Sequence, residues 1–183
     1  MKKVCLTYFE AFGNRSENIS MKVASDVEAK GITLDKVEFK VSYDEISQEV
    51  SSVVNRGYDL IILTGEAGGR SKVTLEKVAL NLKSAIISDN YGKYYFNERI
   101  DDGDAAYFSN LDVLDLAKRL KEEGYNIDAS LSAGSYLCNM SYFYALKEVY
   151  KKKLETKVVF VHFPINDNIK EAKEIIERLI EIV

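Results

Sequence analysis

The sequence predicts an α/β fold, a single-domain α/β/α sandwich with a mostly parallel, twisted sheet and helices on both faces. Three observations predict it. Short apolar, β-branched runs alternate along the chain with amphipathic segments of helical periodicity. Most of the short runs are apolar throughout, as expected for strands buried on both faces of a parallel sheet. No repeat, low-complexity segment or linker divides the 183 residues, so we expect one domain over 1–183.

The first predicted elements are a strand, a helix and a second strand. Residues 4–9 are apolar and aromatic, which indicates a buried strand. A helix is expected to begin at Asn18 or Ser20, because apolar residues then recur at helical spacing, and to end at Gly31. Residues 34–41 alternate between apolar and polar side chains, which indicates a strand.

A second helix and a third strand lead to a glycine-rich segment. Residues 43–54 place β-branched apolar side chains on one helical face, and Gly57 ends this helix. The strand predicted over 60–64 is apolar and runs into the glycine cluster 65–70. Short strand structure is expected again over 73–82.

The middle of the chain is the least regular part. We expect a short strand over 85–87, followed by the longest irregular stretch, 88–109, which is rich in turn-forming residues. Helical spacing then predicts a helix over 111–123, ended by Gly124. A short strand over 129–132 leads towards the next helix.

The last part of the chain repeats the alternation. An aromatic helix is predicted over 135–152, an apolar strand over 157–163 and an amphipathic helix over 169–182. Ligands of such folds bind at the carboxyl ends of the strands. This rule selects four segments as candidate sites: 9–18, 64–72, 132–139 and 162–168.

Composition excludes several classes of protein. One histidine, His162, and two cysteines, Cys5 and Cys138, rule out a zinc site built from several histidines or four cysteines. A net charge of −4 argues against nucleic acid as a partner. We recognise no secretory signal and no bilayer-spanning run, so we expect no membrane partner. The two cysteines are 133 positions apart and no export signal is recognised, so we expect reduced thiols and a cytoplasmic location.

Cys138 is the most informative residue. It lies four positions after Gly134, in the first turn of a predicted helix that follows a strand. Free amides and the positive helix end there favour the thiolate, which is the nucleophilic form. The alternative is a small buried thiol on an apolar helix. Cys5, among apolar neighbours in the first strand, is expected in the core.

His162 and Glu76 are candidates to act with this cysteine. His162 ends an apolar strand, where an imidazole can accept the proton of Cys138; the alternative is a histidine held by a backbone carbonyl. Such a pair usually needs a third group that orients the ring. Glu76 shares a strand face with apolar neighbours, and its alternative is a surface pair with Lys72 or Lys77. Three aspartates compete as orienting groups: Asp59, Asp89 and Asp112.

Two loops have alternative interpretations. The segment 65–71 is glycine-rich, but it is one residue short of a Walker A motif and has Arg70 where lysine is required. We therefore expect it to approach a small ligand closely. In the loop 7–18, a glycine–asparagine pair precedes a helix, as in the FMN loop of flavodoxin-like carriers. This loop is aromatic and acidic, however, and Phe9 and Phe12 suit the wall of an apolar pocket.

Five motifs occur in the order found in one family of cysteine peptidases. Residues 133–139 (AGSYLCN) resemble the nucleophile motif of pyroglutamyl peptidase I, also called pyrrolidone-carboxylate peptidase, and 161–164 (VHFP) is similar to its histidine motif. The segments 65–70 and 74–81 resemble its glycine loop and glutamate segment. Residues 9–13 (FEAFG) resemble its N-terminal loop. The resemblance covers most of the chain.

The resemblance implies removal of an N-terminal pyroglutamyl residue from peptides, with no cofactor and no metal. It implies that Cys138 is the nucleophile, His162 the base and then the acid, and Glu76 the group that orients the imidazole. It also implies a thioester intermediate and assembly as a homodimer or homotetramer. The substrate-binding residues that it implies are Phe9, Phe12, Asn18, Glu66, Ile87, Tyr136 and Leu137.

The chain departs from the family pattern beside the expected substrate site. Glu66 stands where the family usually has glutamine, and Ile86 stands where it has arginine. Tyr8, Ala11 and Asn14 replace residues of the usual first loop, GFEPFGG. These changes support a second hypothesis, a catalytically weak or re-specialised relative that binds a different small acyl or amine ligand.

Overall fold

The computed structural model describes residues 1–165 and 168–183, and strands and helices alternate through most of them. The strands are β1 (Lys3–Phe9), β2 (Thr33–Phe39), β3 (Leu60–Ala67), β4 (Val73–Glu76), β5 (Val78–Leu80), β6 (Ala106–Phe108), β7 (Ile127–Ser130) and β8 (Lys157–Pro164). The helices are α1 (Ile19–Asp26), α2 (Ile46–Val54), α3 (Val113–Glu122), α4 (Leu137–Lys152) and α5 (Ile169–Ile182).

A six-stranded sheet forms the centre of the molecule, in the order β2-β1-β3-β8-β4-β7. Strands β2, β1, β3 and β8 pair in parallel. Strand β4 runs antiparallel to β8 and parallel to β7. Strands β5 and β6 form a separate antiparallel pair. The prediction of a mostly parallel sheet is confirmed.

Helices cover both faces of the sheet, as the predicted α/β/α sandwich requires. Side chains alternate between the two faces: Cys5 and Phe160 face a core shared with α2 and α4, whereas Leu6 and Val161 face a core shared with α1, α3 and α5. The expectation that Cys5 lies in the core is confirmed, because it is fully buried. No helix within the described ranges combines the length and apolar character that a membrane span needs.

Most predicted elements agree with the structure to within a few residues, and α5 agrees at both ends. Helix α1 is shorter than predicted: it ends at Asp26, because Val27 adopts an extended backbone with ψ of 132°. Helix α2 begins at Ile46 instead of Tyr43, whose N–H donates to the Asp89 carboxylate at 2.9 Å.

Strand β3 is longer than predicted, because it continues through the first three residues of the glycine cluster. Residues 65–67 pair in register with 162–164 of β8. Glycine weakens an isolated strand, but here the partner strand continues alongside and supplies the ladder of hydrogen bonds. The extension carries the edge of the sheet to the candidate site.

The strand predicted over 85–87 is wrong. These residues belong to the irregular segment between β5 and β6, residues 81–105, which we call the excursion. There Ala85 N–H donates to Tyr95 C=O at 2.8 Å, and Ile86 is 93% exposed. A β-branched run forms a strand only where a sheet can pair with it and a core can cover it. The stretch 88–109, predicted as irregular, contains the short strand β6.

Candidate active site

Cys138 lies in the first turn of α4, above the carboxyl end of β3. The helix begins at Leu137, and its N-cap residue Tyr136 makes no side-chain capping bond, so the first amides of the helix are not used by a cap. Gly65 of β3 lies directly beneath the thiol. A Cβ atom placed on Gly65 would stand only 2.7 Å from Cys138 Sγ. Position 65 therefore requires glycine for the thiol to lie where it does.

His162 lies beside this glycine on the neighbouring strand. Gly65 and His162 are partners in the parallel β3–β8 register, and adjacent strands are about 4.8 Å apart. The Phe160 ring lies 3.1 Å from the Cβ position of Gly65 and its centroid is 4.6 Å from that of the His162 ring. The structure thus brings the thiol of Cys138 and the imidazole to the same face of two adjoining strands.

Glu76 holds the imidazole from a third strand. Its Oε1 atom is 2.8 Å from His162 Nδ1, and both side chains are buried. The Thr74 hydroxyl and the Arg70 guanidinium also donate to Oε1, at 3.0 and 3.1 Å. A buried carboxylate is costly unless it is hydrogen-bonded. These three contacts satisfy Oε1, whereas Oε2 is buried without a hydrogen-bond partner among the described residues. The arrangement places the glutamate where it could orient the histidine ring through Nδ1.

The alternative partners considered for Glu76 and His162 are engaged elsewhere. Lys72 pairs with Asp128 at 2.8 Å, and Lys77 Nζ donates to the Leu111 carbonyl at 3.5 Å. Each competing aspartate instead accepts a backbone N–H at another place in the fold: Asp59, Asp89 and Asp112. Among these four carboxylates, Glu76 is the one that contacts the histidine ring.

The environment of the thiol reverses one expectation. Burial raises the pKa of Cys138 to about 12, and the carboxylates of Glu66 and Glu76 act in the same direction. The helix N-terminus was expected to favour the thiolate, but desolvation and two nearby negative charges raise the pKa instead. A thiol with a raised pKa is mostly protonated near neutral pH, so a nucleophilic role for Cys138 would need a base that removes the proton.

A pocket of about 300 Å³, part of which is open to solvent, lies beside the thiol. Six of the seven predicted substrate-binding residues line it together with the nucleophile candidate. The lining residues are Phe9, Phe12, Asn18, Val41, Glu66, Tyr136, Leu137 and Cys138. The wall is mostly apolar and aromatic, with few polar groups, as is usual for small-ligand pockets.

One predicted residue lies outside this pocket and one lining residue was not predicted. Ile87 belongs to the exposed excursion and is 49% exposed, so the structure does not bring it to the pocket wall. Val41, two residues beyond the end of β2, lines the pocket instead. Val41 was predicted only as part of a strand, and the alternation of that strand gave no signal of a ligand.

The aromatic walls are fixed by contacts among themselves. The Phe12 and Tyr136 rings are 6.1 Å apart, and Tyr43 meets Tyr136 edge-on at 5.7 Å. The Tyr136 hydroxyl donates to the Ser88 carbonyl at 3.0 Å, and Phe9 is buried against the sheet. These contacts hold the pocket open in a defined shape before any ligand enters.

The two polar residues of the wall are bound within the protein. Asn18 caps α1: its Oδ1 accepts from Ser20 N–H at 3.0 Å, and its Nδ2 donates to a backbone carbonyl. The Glu66 carboxylate pairs with Arg15, and its second oxygen accepts from Ile19 N–H at 3.2 Å. Both side chains are therefore engaged by partners within the protein.

Asn139 positions helix α4, which carries Cys138, and the sequence did not indicate this role. Its Oδ1 accepts from Leu80 N–H at 2.8 Å, and its Nδ2 donates to the carbonyls of Leu80 and Leu82 at 2.8 and 3.0 Å. The fully buried amide thus joins the start of α4 to the edge of β5. An asparagine next to a cysteine gives no signal of this contact in sequence.

Arg70 also has a role that the sequence did not indicate. Its Nη2 atom donates to Glu76, to Ser130 Oγ and to the Ser132 carbonyl, each within 3.1 Å. It therefore ties the glutamate to the segment that leads to Cys138. Because β3 continues through 65–67 and β4 follows the cluster, no helix N-terminus is present there to bind a phosphate.

Comparison with known sequences identifies relatives over nearly the whole chain. The sequence profile of the family described as pyroglutamyl peptidase matches residues 2–176. A pyrrolidone-carboxylate peptidase of Bacillus thuringiensis (strain Al Hakam) is 34% identical over 169 residues, which are 90% of this chain and 79% of the relative. A protein of the same name from Bacillus cereus (strain Q1) is 35% identical over 169 residues, with the same coverage.

Solved structures show the same fold. Pyrrolidone carboxyl peptidase from Thermus thermophilus superposes with a TM-score of 0.91 at 25% identity, covering 98% of this chain and all of the other. The enzyme from Thermococcus litoralis also gives a TM-score of 0.91, at 28% identity, covering 99% of this chain and 92% of the other. Both superpositions include the strands and the helix that carry the candidate site.

Proposed function

This chain belongs to the pyroglutamyl peptidase family, and from that premise we propose that Cys138, His162 and Glu76 are its catalytic triad. The chain is a cysteine peptidase that removes an N-terminal pyroglutamyl residue from peptides. One observation supports the residue assignment most strongly: the 2.8 Å contact between His162 and Glu76 lies on the sheet face that carries Cys138 over Gly65.

In the first half-reaction the Cys138 sulfur attacks the pyroglutamyl carbonyl carbon. The thiol proton moves to Nε2 of His162, while Nδ1–H donates to Glu76. The tetrahedral intermediate then breaks the C–N bond of the scissile amide, and His162 gives its proton to the leaving amine. The products are a thioester on Cys138 and a peptide that is one residue shorter.

The start of α4 supplies donors for the negative charge that forms on the carbonyl oxygen. The N–H groups of Leu137 and Cys138 belong to the first turn, which has no capping side chain. Backbone donors of this kind stabilise an oxyanion, and removing one donor typically costs a factor on the order of 100 to 1,000 in rate. No metal is needed in this scheme.

Hydrolysis of the thioester returns the enzyme to its starting state. His162 takes a proton from water as the water oxygen attacks the carbonyl carbon of the thioester. The C–S bond breaks, the sulfur takes the proton back from His162, and pyroglutamic acid is released. Because the pKa of the Cys138 thiol is raised, the departing sulfur needs the proton that His162 returns to it.

The pocket beside the thiol suits a small uncharged ring. Phe9, Phe12 and Tyr136 offer aromatic surface to a flat lactam, and Leu137 adds an apolar contact next to the nucleophile. Phe9, Asn18, Val41 and Leu137 of the wall are buried, and the pocket is small. These features support binding of the pyroglutamyl ring at this place.

The second hypothesis, a re-specialised binding protein, has less support. It depended on a free Glu66 carboxylate beside the ligand, but this carboxylate is paired with Arg15. It also depended on Ile86, which is 93% exposed and lies on the excursion outside the pocket. A flavin carrier is set aside as well, because Phe9 and Phe12 of the first loop line the pocket beside Cys138.

We also propose a cytoplasmic enzyme that assembles as a homodimer or homotetramer. The location is supported by two unpaired thiols, Cys5 and Cys138. The assembly follows from the family resemblance. Sedimentation of the pure protein tests it, and a sedimenting monomer contradicts it.

A fluorogenic amide assay tests the proposed activity. Under reducing conditions we expect the protein to release the fluorophore from pyroglutamyl amide and not from prolyl amide, which has the same ring size but a cationic amine. The aromatic pocket and the paired Glu66 give the reason for this preference. Absence of pyroglutamyl amide turnover contradicts the proposal.

A further inference from the structure

We propose that Arg15 is a specificity-determining residue: it neutralises Glu66 and thereby makes the pocket select an uncharged lactam over a cationic cyclic amine. This inference rests on the proposed function, since it concerns the ligand class of the same pocket. Its basis is an ion pair between the first loop and the end of β3, joining residues far apart in sequence.

The Glu66 carboxylate is enclosed by partners on both oxygens. Its side chain is only 3% exposed. One oxygen pairs with the Arg15 guanidinium, and the other accepts from Ile19 N–H at 3.2 Å at the start of α1. The positive end of a helix favours a carboxylate at this place. Arg15 supplies the one full positive charge in this set.

The strand geometry explains how the Glu66 carboxylate reaches Arg15 and the start of α1. The Cβ position of Gly65 faces Cys138, and successive residues of a strand point to opposite faces. The side chain of Glu66 therefore points to the face covered by α1, where Arg15 and Ile19 meet it. The residue still forms part of the pocket wall beside Cys138.

Removing Arg15 changes the charge that the pocket presents. A buried carboxylate that has lost its ionic partner attracts a replacement cation. A protonated ring amine in the pocket is such a cation, whereas a lactam ring is not. Because Arg15 already pairs with Glu66, a cationic amine cannot gain that ion pair. The pocket therefore discriminates against the amine.

Two ring compounds of the same size test the inference. Pyrrolidine is protonated near neutral pH, and 2-pyrrolidone is its uncharged lactam. We expect 2-pyrrolidone, but not pyrrolidine, to inhibit the wild type. In Arg15→Gln, pyrrolidine inhibition should strengthen on the order of tenfold or more, and kcat/KM for pyroglutamyl amide should fall by a similar factor.

Two further variants separate charge from folding. Arg15→Lys keeps the positive charge and should retain the ligand preference of the wild type. Arg15→Gln/Glu66→Gln removes both charges and should lose the pyrrolidine inhibition gained by Arg15→Gln. The matched control is Arg119→Gln. It removes an arginine of α3 from an exposed ion pair with Glu123, the residue that follows this helix. It should leave both inhibition constants unchanged.

Binding measurements keep this test independent of turnover. Calorimetric titration of the same proteins with both compounds reports charge selection even if no substrate is hydrolysed. Such a result supports the role of Arg15 and contradicts only the proposed activity. The inference is overturned if Arg15→Gln binds pyrrolidine no better than the wild type, if the double variant still binds it, or if the wild type binds neither compound.

Discussion

The Cys138 thiol is held in its protonated form by the fold. It is enclosed at the start of α4, and the carboxylates of Glu66 and Glu76 lie near enough to oppose a negative charge on sulfur. A protonated thiol is a poor nucleophile. The proposed mechanism therefore depends on proton transfer to His162 when the substrate is bound, and not on a preformed thiolate.

Alkylation by iodoacetamide tests this protonation state. With a pKa raised to about 12, the thiolate fraction grows about tenfold for each pH unit below that value. We expect the alkylation rate of Cys138, followed by mass spectrometry, to rise from about pH 6 to about pH 9 without levelling. The Cys138→Ala variant is the control, because buried Cys5 should not react. A plateau with an apparent pKa below about 7 contradicts the account.

Sequence reasoning reached Cys138, His162 and Glu76 because each residue type has a known chemical use at the end of a strand or the start of a helix. It did not reach the pairing of Glu66 with Arg15. These residues are 51 positions apart, and no local pattern links them. Their contact exists only because the first loop folds back over the end of β3.

At the scale of elements, the site depends on how closely α4 approaches β3. Gly65 leaves room for the thiol, and Asn139 fixes the helix to the edge of β5 through three hydrogen bonds. The helix thereby presents Cys138 and its first-turn amides at one place. Positioning of this kind contributes strongly to rate, since small displacements of reacting groups are costly.

The variant Gly65→Ala tests this approach. The added methyl group would lie 2.7 Å from Cys138 Sγ and 3.1 Å from the Phe160 ring, so the thiol must move. We expect kcat to fall on the order of 100-fold, with a loss in the free energy of unfolding of about 1–3 kcal/mol. Gly69→Ala is the matched control, because no atom lies within 4 Å of its Cβ position. Equal activity of the two variants contradicts this role for Gly65.

Elements were predictable where the local pattern and the tertiary contacts agree. Helix α5 was predicted at both ends because its apolar stripe is regular and Asn168 caps it. The apolar residues 85–87 have strand-like composition, but the fold gives them no neighbouring strand to pair with in a sheet. Strand β6 was missed because three residues are too few to show a strand pattern. It is recognisable as a strand only through its antiparallel pairing with β5.

At the scale of the whole molecule, the strand order creates the site. Strands β3, β8 and β4 are neighbours in the sheet, so Gly65, His162 and Glu76 come from three adjacent strands. The rule that ligands bind at strand ends selected three segments that contribute to the pocket beside Cys138, 9–18, 64–72 and 132–139. In the fourth segment, 162–168, residues 166 and 167 lie outside the described residues. The rule did not give the order of the strands. That order results from packing across the entire chain, and here the solved relatives share it.

The central claim is that Cys138 is the nucleophile of a pyroglutamyl peptidase, and hydrolysis of pyroglutamyl amide by two cysteine variants tests it most directly. Cys138→Ala should lose at least about a thousandfold in kcat/KM, with thermal unfolding as a check on folding. Cys5→Ala, which changes a fully buried core residue, should retain turnover per folded molecule. The account is contradicted if Cys138→Ala keeps wild-type activity, or if activity is lost only when Cys5 is replaced.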